Sequence, residues 1–264
     1  MKLGFIGLGN MATAIIAGIL KKGLVPAENI LGSDKLPAAM QKAADKYGIQ
    51  TIESNTEVAS RADVLFLAVK PQFLEGVLSE IAPYLTGDNL IISMAAGKSL
   101  GWLHEKLDAE VRMIRIMPNT AAIVGESCTA ICRDAYATDE DVALAVKLCQ
   151  AFGVTQVLDE KMMDVFSALR GSSGAFVFLY MEALADGAVA AGMPRQMAYE
   201  VAAQSTLGAA KLMRDTKEHP GALKDMVCSP GGTTIEGIKA LEKGSVRASV
   251  MDAVEACVEK AKRL

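Results

Sequence analysis

A chain of 264 residues, 51% hydrophobic and 22% charged, has the length for one large or two ordinary globular domains and enough apolar content for a sizeable core. Its net charge of −4 gives no general attraction for nucleic acid or anionic membrane. Five cysteines without a Cys-x-x-Cys pair, with histidine only at 104 and 219, argue against a zinc site or a disulfide framework. No metal is expected, and each thiol reads as a small buried hydrophobe in a reducing cytoplasm, with Cys228 a partial exception beside the 229–234 turn. Apolar runs such as residues 64–69 are too short to span a bilayer, and a strand opening at the first residues leaves no room for a signal peptide. The expected partners are a small molecule and further copies of the chain, with no nucleic acid and no membrane.

The chain opens on an apolar strand that runs into Gly7-x-Gly9-x-x-Ala12 and then a helix over 11–22. That order is the dinucleotide fingerprint in its required setting. Gly7 suits the tight turn, Gly9 lets backbone approach a pyrophosphate, and Ala12 keeps the helix close to the sheet. The helix start presents free N–H groups and a positive dipole end to phosphate.

Pro26 breaks the first helix, and residues 29–33 read as a second strand ending at Ser33-Asp34-Lys35. The end of strand two faces the adenosine ribose in such a fold. Asp34 alone favours a free 2′-hydroxyl, hence NAD, whereas Ser33 and Lys35 suit the 2′-phosphate of NADP; the balance leans to NADP on those two residues. A helix follows over 37–47, then a brief strand at 50–52 and a short helix to residue 60 with Asn55 as its cap. Residues 64–69 form a continuous apolar strand of the doubly buried kind, ending at Lys70-Pro71. Helices over 73–82 and 100–107 alternate with strands at 89–93 and 111–116, and the last of these stops at Pro118-Asn119. The alternation predicts a doubly wound α/β sheet, in which the strand ends at Lys70, Ala95 and Pro118 share one cleft with the glycine loop.

An extra strand at 127–132, a helix over 139–152 and a last strand at 155–158 complete this part. Beyond Lys161 every stretch reads as helix: 162–168, 176–191, 195–213, 222–227, 234–243 and 247–262. The reading is therefore a dinucleotide-binding domain over 1–160 and an all-helical domain over 161–264. The helical part looks unable to bury its apolar faces alone, which predicts an intertwined dimer.

Ser229-Pro230-Gly231-Gly232-Thr233-Thr234 lies between two helices. Consecutive glycines followed by threonines at a helix start expose N–H groups and hydroxyls together, an arrangement suited to a carboxylate. The competing reading is an ordinary turn with Thr233 or Thr234 as cap. Lys70 reads as a structural or cofactor-contacting residue, and His219, before Pro220, as a helix-entry residue.

Gly4-Phe-Ile-Gly-Leu-Gly-Asn-Met11, Ala68-Val-Lys-Pro-Gln72, Ser93-Met-Ala-Ala-Gly97, Arg115-Ile-Met-Pro-Asn-Thr120 and residues 219–234 together resemble pyrroline-5-carboxylate reductase across nearly the whole chain. The last stretch is the most specific. The resemblance implies a Rossmann-type N-terminal domain, a helical dimerisation domain, and NAD(P)H-dependent reduction of the C=N bond of 1-pyrroline-5-carboxylate to L-proline. By that resemblance Thr234 meets the ring nitrogen, while Ser229, Gly231, Gly232 and Thr233 hold the carboxylate. Gly7, Gly9, Asn10 and Met11 line the cofactor, with Ala68, Val69, Lys70, Pro71, Ala95 and Asn119 toward the nicotinamide and Ser33, Lys35 and Asn55 at the adenosine end. One departure is Arg170 and a missing proline between 168 and 176, which leaves ligand contacts from 170–175 open. β-Hydroxyacid dehydrogenases share the opening Gly-x-Gly, yet they use a lysine on a helix that here, over 171–191, has none. A non-enzymatic NAD(P)-binding regulator would have no use for the turn at 229–234.

Overall fold

The computed structural model describes residues 1–261. Eight strands form one sheet in the order β3-β2-β1-β4-β5-β6-β7-β8. They are β1 (Leu3–Ile6), β2 (Ile30–Ser33), β3 (Gln50–Thr51), β4 (Val64–Leu67), β5 (Leu90–Ser93), β6 (Arg112–Met117), β7 (Ser127–Arg133) and β8 (Gly153–Val157). The helices that wind around the sheet are α1 (Asn10–Lys21), α2 (Pro37–Tyr47), α3 (Asn55–Arg61), α4 (Pro71–Ile81), α5 (Leu100–Leu107), α6 (Asp139–Cys149) and α7 (Met163–Ser167). Strands β1 to β6 pair with one another in parallel, and the order reverses between β1 and β4. That reversal is the switch point at which doubly wound sheets bind ligands.

Side-chain alternation along the strands feeds two cores. Phe5 and Phe66, paired across β1 and β4, stack at 4.6 Å on the face covered by α1, α2 and α6. Ile6, Leu65 and Leu67 point the other way, to α3, α4, α5 and Met163 of α7. Every residue of β1, β2, β4 and β5 is buried, which is why these strands read as unbroken apolar runs. Burial also pushes the Cys132 and Cys149 thiols up to about 12, so neither is a nucleophile near neutral pH.

β7 runs antiparallel to β6. The link between them, a 3-10 turn at Thr120–Val124, is shorter than the dozen or so residues a parallel crossover needs, so the chain can only double back. Other element ends shift by up to three residues from the sequence reading, and α4 starts at Pro71 itself, because proline at the first helical position sacrifices no hydrogen bond. The cap of α3 is corrected: Ser54 accepts the Glu57 N–H, and Asn55 is the first helical residue. A serine hydroxyl one residue earlier reaches the third N–H, leaving the Asn55 amide for other partners.

The compact sheet unit is Met1–Ser167. It extends past residue 160 because Glu160 Oε1 accepts from both the Leu100 N–H at 2.8 Å and Arg115 Nη1 at 3.0 Å, and because Met163 is fully enclosed. The second unit starts at Ala168 with a π turn, Ala168–Ser172, inside the 168–176 stretch that departs from the resemblance. It continues through α8 (Ser173–Ala190), α9 (Arg195–Thr216), α10 (Pro220–Met226), α11 (Thr233–Lys243) and α12 (Val246–Ala261). The expected end of the last helix at residue 262 lies outside the described residues.

α8 is apolar on nearly every side, yet only Ala185 is enclosed; Phe178 is 69% and Leu179 67% exposed. The helical run Glu160–Ala190 is long and apolar enough, by length and composition, to cross a membrane. Judging by runs such as 64–69 overlooked it, since its apolar residues are spread over 31 positions rather than gathered in one block.

Candidate functional site

The glycine loop takes the conformation its sequence calls for. Gly7 sits at φ +96°, and a Cβ there would fall 2.9 Å from the Ala68 carbonyl. Only glycine lets β1 turn this close to the end of β4. Gly9 is the N-cap of α1, with φ −70° and no side-chain cap, and a Cβ on it would meet no atom within 4 Å. The surface in front of Gly9 and the first N–H groups of α1, at Asn10 and Met11, is thus free of protein, while Ala12 is buried against the sheet. Such a surface has the shape and the free N–H groups that suit a phosphate-bearing group.

The neighbouring strand ends converge on the same edge. Ala68 N donates to the Ile6 carbonyl, and Met94 N to the Leu67 carbonyl, which brings the turns carrying Val69, Lys70, Pro71 and Ala95 beside the glycine loop. Lys70 is exposed at the N-cap of α4. Asn119 is anchored through its N–H to Ser127 Oγ at 3.2 Å, and its Oδ1 is buried without a hydrogen-bond partner. A buried acceptor left over in this way fits an amide donor of a ligand such as a nicotinamide carboxamide.

At the end of β2 the outcome differs from residue to residue. Lys35 is exposed and, among the described residues, has no ionic partner. Asp34 is turned inward: Oδ2 accepts from the Leu8 N–H at 2.7 Å and Oδ1 from the Leu36 N–H at 2.8 Å. It therefore ties the glycine loop to β2 instead of extending toward a ribose. Ser33 is fully enclosed, and its hydroxyl donates to Asn55 Oδ1 at 2.7 Å. Of the residues expected at the adenosine end, Lys35 and Asn55 reach the surface and Ser33 sits behind them. Nothing in the sequence signalled that burial, because a serine at a strand end is equally at home on the surface.

In the helical unit the turn after α10 closes when Gly232 N donates to the Ser229 carbonyl at 3.0 Å, with Gly231 at φ +68°. A Cβ on Gly232 would lie 2.4 Å from Ser229 Oγ. Gly232 is the N-cap of α11, and no side chain caps that helix. Neither Thr233 nor Thr234 acts as the cap; both are exposed within the first turn of the helix, alongside its unclaimed N–H groups. α3, α5 and α6 have side-chain caps from Ser54, Ser99 and Thr138, whereas α2, α4, α8 and α9 have none. His219 caps α10 through Nδ1, which accepts from Gly221 N at 3.1 Å. Lys224 is held by Asp225, whose hydrogen bond raises the lysine above its ordinary value.

Known proteins with this arrangement settle the assignment. The family pyrroline-5-carboxylate reductase dimerisation matches residues 160–264, and the coenzyme F420-dependent NADP oxidoreductase family matches residues 2–97. The pyrroline-5-carboxylate reductase of Escherichia coli K12 is 45% identical over 263 residues, covering 100% of this chain and 98% of its own. The Arabidopsis thaliana reductase is 41% identical, with 100% and 95% covered. The chain belongs to the pyrroline-5-carboxylate reductase family. Among solved structures, the Coxiella burnetii reductase matches with a TM-score of 0.95 and 33% identity over 99% of this chain and 97% of that one. The Plasmodium falciparum reductase, solved with NADP bound, gives 0.88 and 32% over 100% and 97%. A 3-hydroxyisobutyrate dehydrogenase from Mycobacterium tuberculosis, at 16% identity, shares the fold alone.

Pyrroline-5-carboxylate reductases, this chain among them, are NAD(P)H-dependent oxidoreductases that reduce the C=N bond of 1-pyrroline-5-carboxylate to give L-proline, the closing step of proline biosynthesis. The match at residues 2–97 reflects the glycine-loop half, which many nicotinamide-dependent reductases share.

Proposed function

We propose that this pyrroline-5-carboxylate reductase uses NADPH along the C-terminal edge of its sheet and holds the imino acid at the start of α11. The observation that carries the reading is a pair of glycine-led helix starts, α1 and α11, both without a side-chain cap. One lies at the switch point of the sheet and suits a pyrophosphate; the other, bordered by Thr233 and Thr234, suits a carboxylate. The inward turn of Asp34 and the exposed Lys35 favour NADPH over NADH, since Asp34 does not extend its carboxylate to receive a ribose 2′-hydroxyl.

NADPH, when bound, supplies the hydride. The chain's own residues do the rest by placement. Gly7, Gly9, Asn10 and Met11 receive the phosphates, and Lys35 and Asn55 border the adenosine end with Ser33 behind them. Ala68, Val69, Lys70, Pro71 and Ala95 shape the nicotinamide seat, where Asn119 Oδ1 accepts from the carboxamide. Ser229, Gly231, Gly232 and Thr233 hold the substrate carboxylate, and the Thr234 hydroxyl hydrogen-bonds the ring nitrogen. That nitrogen can already carry a proton, so its carbon is electrophilic before the enzyme acts, and positioning supplies most of the rate. Accordingly the site needs no acid–base pair.

We further infer a homodimer through the helical unit and a location in the cytoplasm. The exposed apolar surface of α8 supports the first. Loss of NADPH absorbance on mixing enzyme with 1-pyrroline-5-carboxylate, with NADH in parallel, tests the reading. Turnover with both and higher efficiency with NADPH is expected, and Thr234→Ala lowers kcat/KM about tenfold, the value of one hydrogen bond made in the transition state. Equal or better use of NADH would overturn the cofactor assignment, and an unchanged Thr234→Ala would overturn that residue's role.

A further inference from the structure

Asn55 is gripped from two sides. Ser33 Oγ donates to its Oδ1 at 2.7 Å, and its Nδ2 donates to Glu80 Oε2 at 2.8 Å. A carboxylate only accepts, so Glu80 decides which way the amide faces: nitrogen toward Glu80, oxygen toward Ser33. Ser33 must then use its hydroxyl hydrogen on Asn55. The three residues come from the end of β2, the start of α3 and the end of α4. They meet where a doubly wound sheet places the adenosine ribose. NAD and NADP differ at that ribose alone, by a hydroxyl against a phosphate of about two negative charges.

A phosphate there needs donors, and Glu80 already holds one of the two N–H groups of the Asn55 amide. Glu80 is exposed, with its charge one amide away from the ribose edge. Like charges at that range repel enough to shift a binding constant several-fold near a protein surface. The ribose hydroxyl of NADH meets no such cost. We propose that Glu80, acting through Asn55, is a positioning and specificity-determining residue that holds down the preference for NADPH and keeps NADH usable. This rests on the reading of the β2–α3 edge as the adenosine end.

The experiment uses the full-length enzyme and compares kcat/KM for NADPH and NADH in Glu80→Gln and Glu80→Lys. It is run at roughly 0.01 M and 0.15 M salt, where charges are felt over about 30 and 8 Å. The NADPH-to-NADH ratio rises about fivefold in the glutamine variant and further in the lysine variant. The gain appears in KM for NADPH rather than in kcat, and it shrinks at the higher salt. A purely structural role would not produce a ratio that follows the charge. Glu140→Gln, an exposed acid on α6, controls for net charge and leaves the ratio where it was. An unchanged ratio in both Glu80 variants, or an equal rise in Glu140→Gln, overturns the proposal. Lys35→Ala and Asn55→Ala separate the two layers of the argument. If they raise KM for NADPH while the Glu80 variants do nothing, Glu80 is wrong and the adenosine end stands; if none of the four has an effect, the adenosine end itself is misplaced.

Discussion

Gly7 and Gly9 stand two residues apart and do different work. Gly7 is required by the fold: its φ of +96° and the 2.9 Å approach to Ala68 exclude any side chain. Gly9 is unconstrained by the fold, with ordinary dihedrals and open space before it. Gly9→Val is therefore expected to leave the thermal midpoint nearly unchanged while abolishing NADPH binding, read by cofactor fluorescence titration. Gly7→Ala should instead destabilise the protein by about 1–3 kcal/mol. Retained NADPH affinity in Gly9→Val would place the pyrophosphate elsewhere. Residue type alone revealed the two glycines but not this division, since a fingerprint marks both equally. Asp34 makes the same point. Its position at the end of β2 was legible, whereas its two backbone partners, Leu8 and Leu36, depend on how the glycine loop folds back over the strand.

At the scale of elements, the antiparallel β7 and its parallel partner β8 close the far edge of the sheet. Their junction depends on Gly153, where a Cβ would lie 1.9 Å from the Ser127 carbonyl oxygen. Backbone cannot yield as a flexible side-chain tip does, so Gly153→Ala must force β8 away from β7. A loss of about 3 kcal/mol or more is expected in urea unfolding, and a loss under about 1 kcal/mol would show that the edge can relax. The existence of β7 and β8 was legible as strands at 127–132 and 155–158. Their directions follow from the length of the links before them and from the neighbours available to pair, neither of which periodicity records. The caps divide in the same way: Thr138 and Asp141 form a capping box between residues three apart, whereas Ser54 and Asn55 are adjacent polar residues that only geometry separates.

For the whole molecule, the two units contrast in how they satisfy their apolar residues. The sheet unit encloses its own, with cores on both faces. The helical unit leaves Phe178, Leu179, Leu207, Met226 and Met251 more than half exposed. A helix apolar on all sides is stable when something covers it, and the matched dimerisation region supplies the reason. Phe178→Asp is expected to convert the dimer to monomer in sedimentation equilibrium and to remove activity with it. An active Phe178→Asp dimer would move the interface off this face.

Local order and composition were enough for the alternation of strand and helix, the fingerprint, the all-helical second half, and the turn at 229–234, because each is written in neighbouring residues through periodicity or backbone freedom. The tertiary structure alone decided that Ser33 is enclosed behind Asn55, that Asp34 faces the glycine loop, that Glu80 reaches Asn55 from 25 positions away, and that Glu160 ties α5 to β6. Those are contacts between segments distant in the chain. Which of several compatible partners a side chain meets there is fixed only when the sheet has brought the segments together.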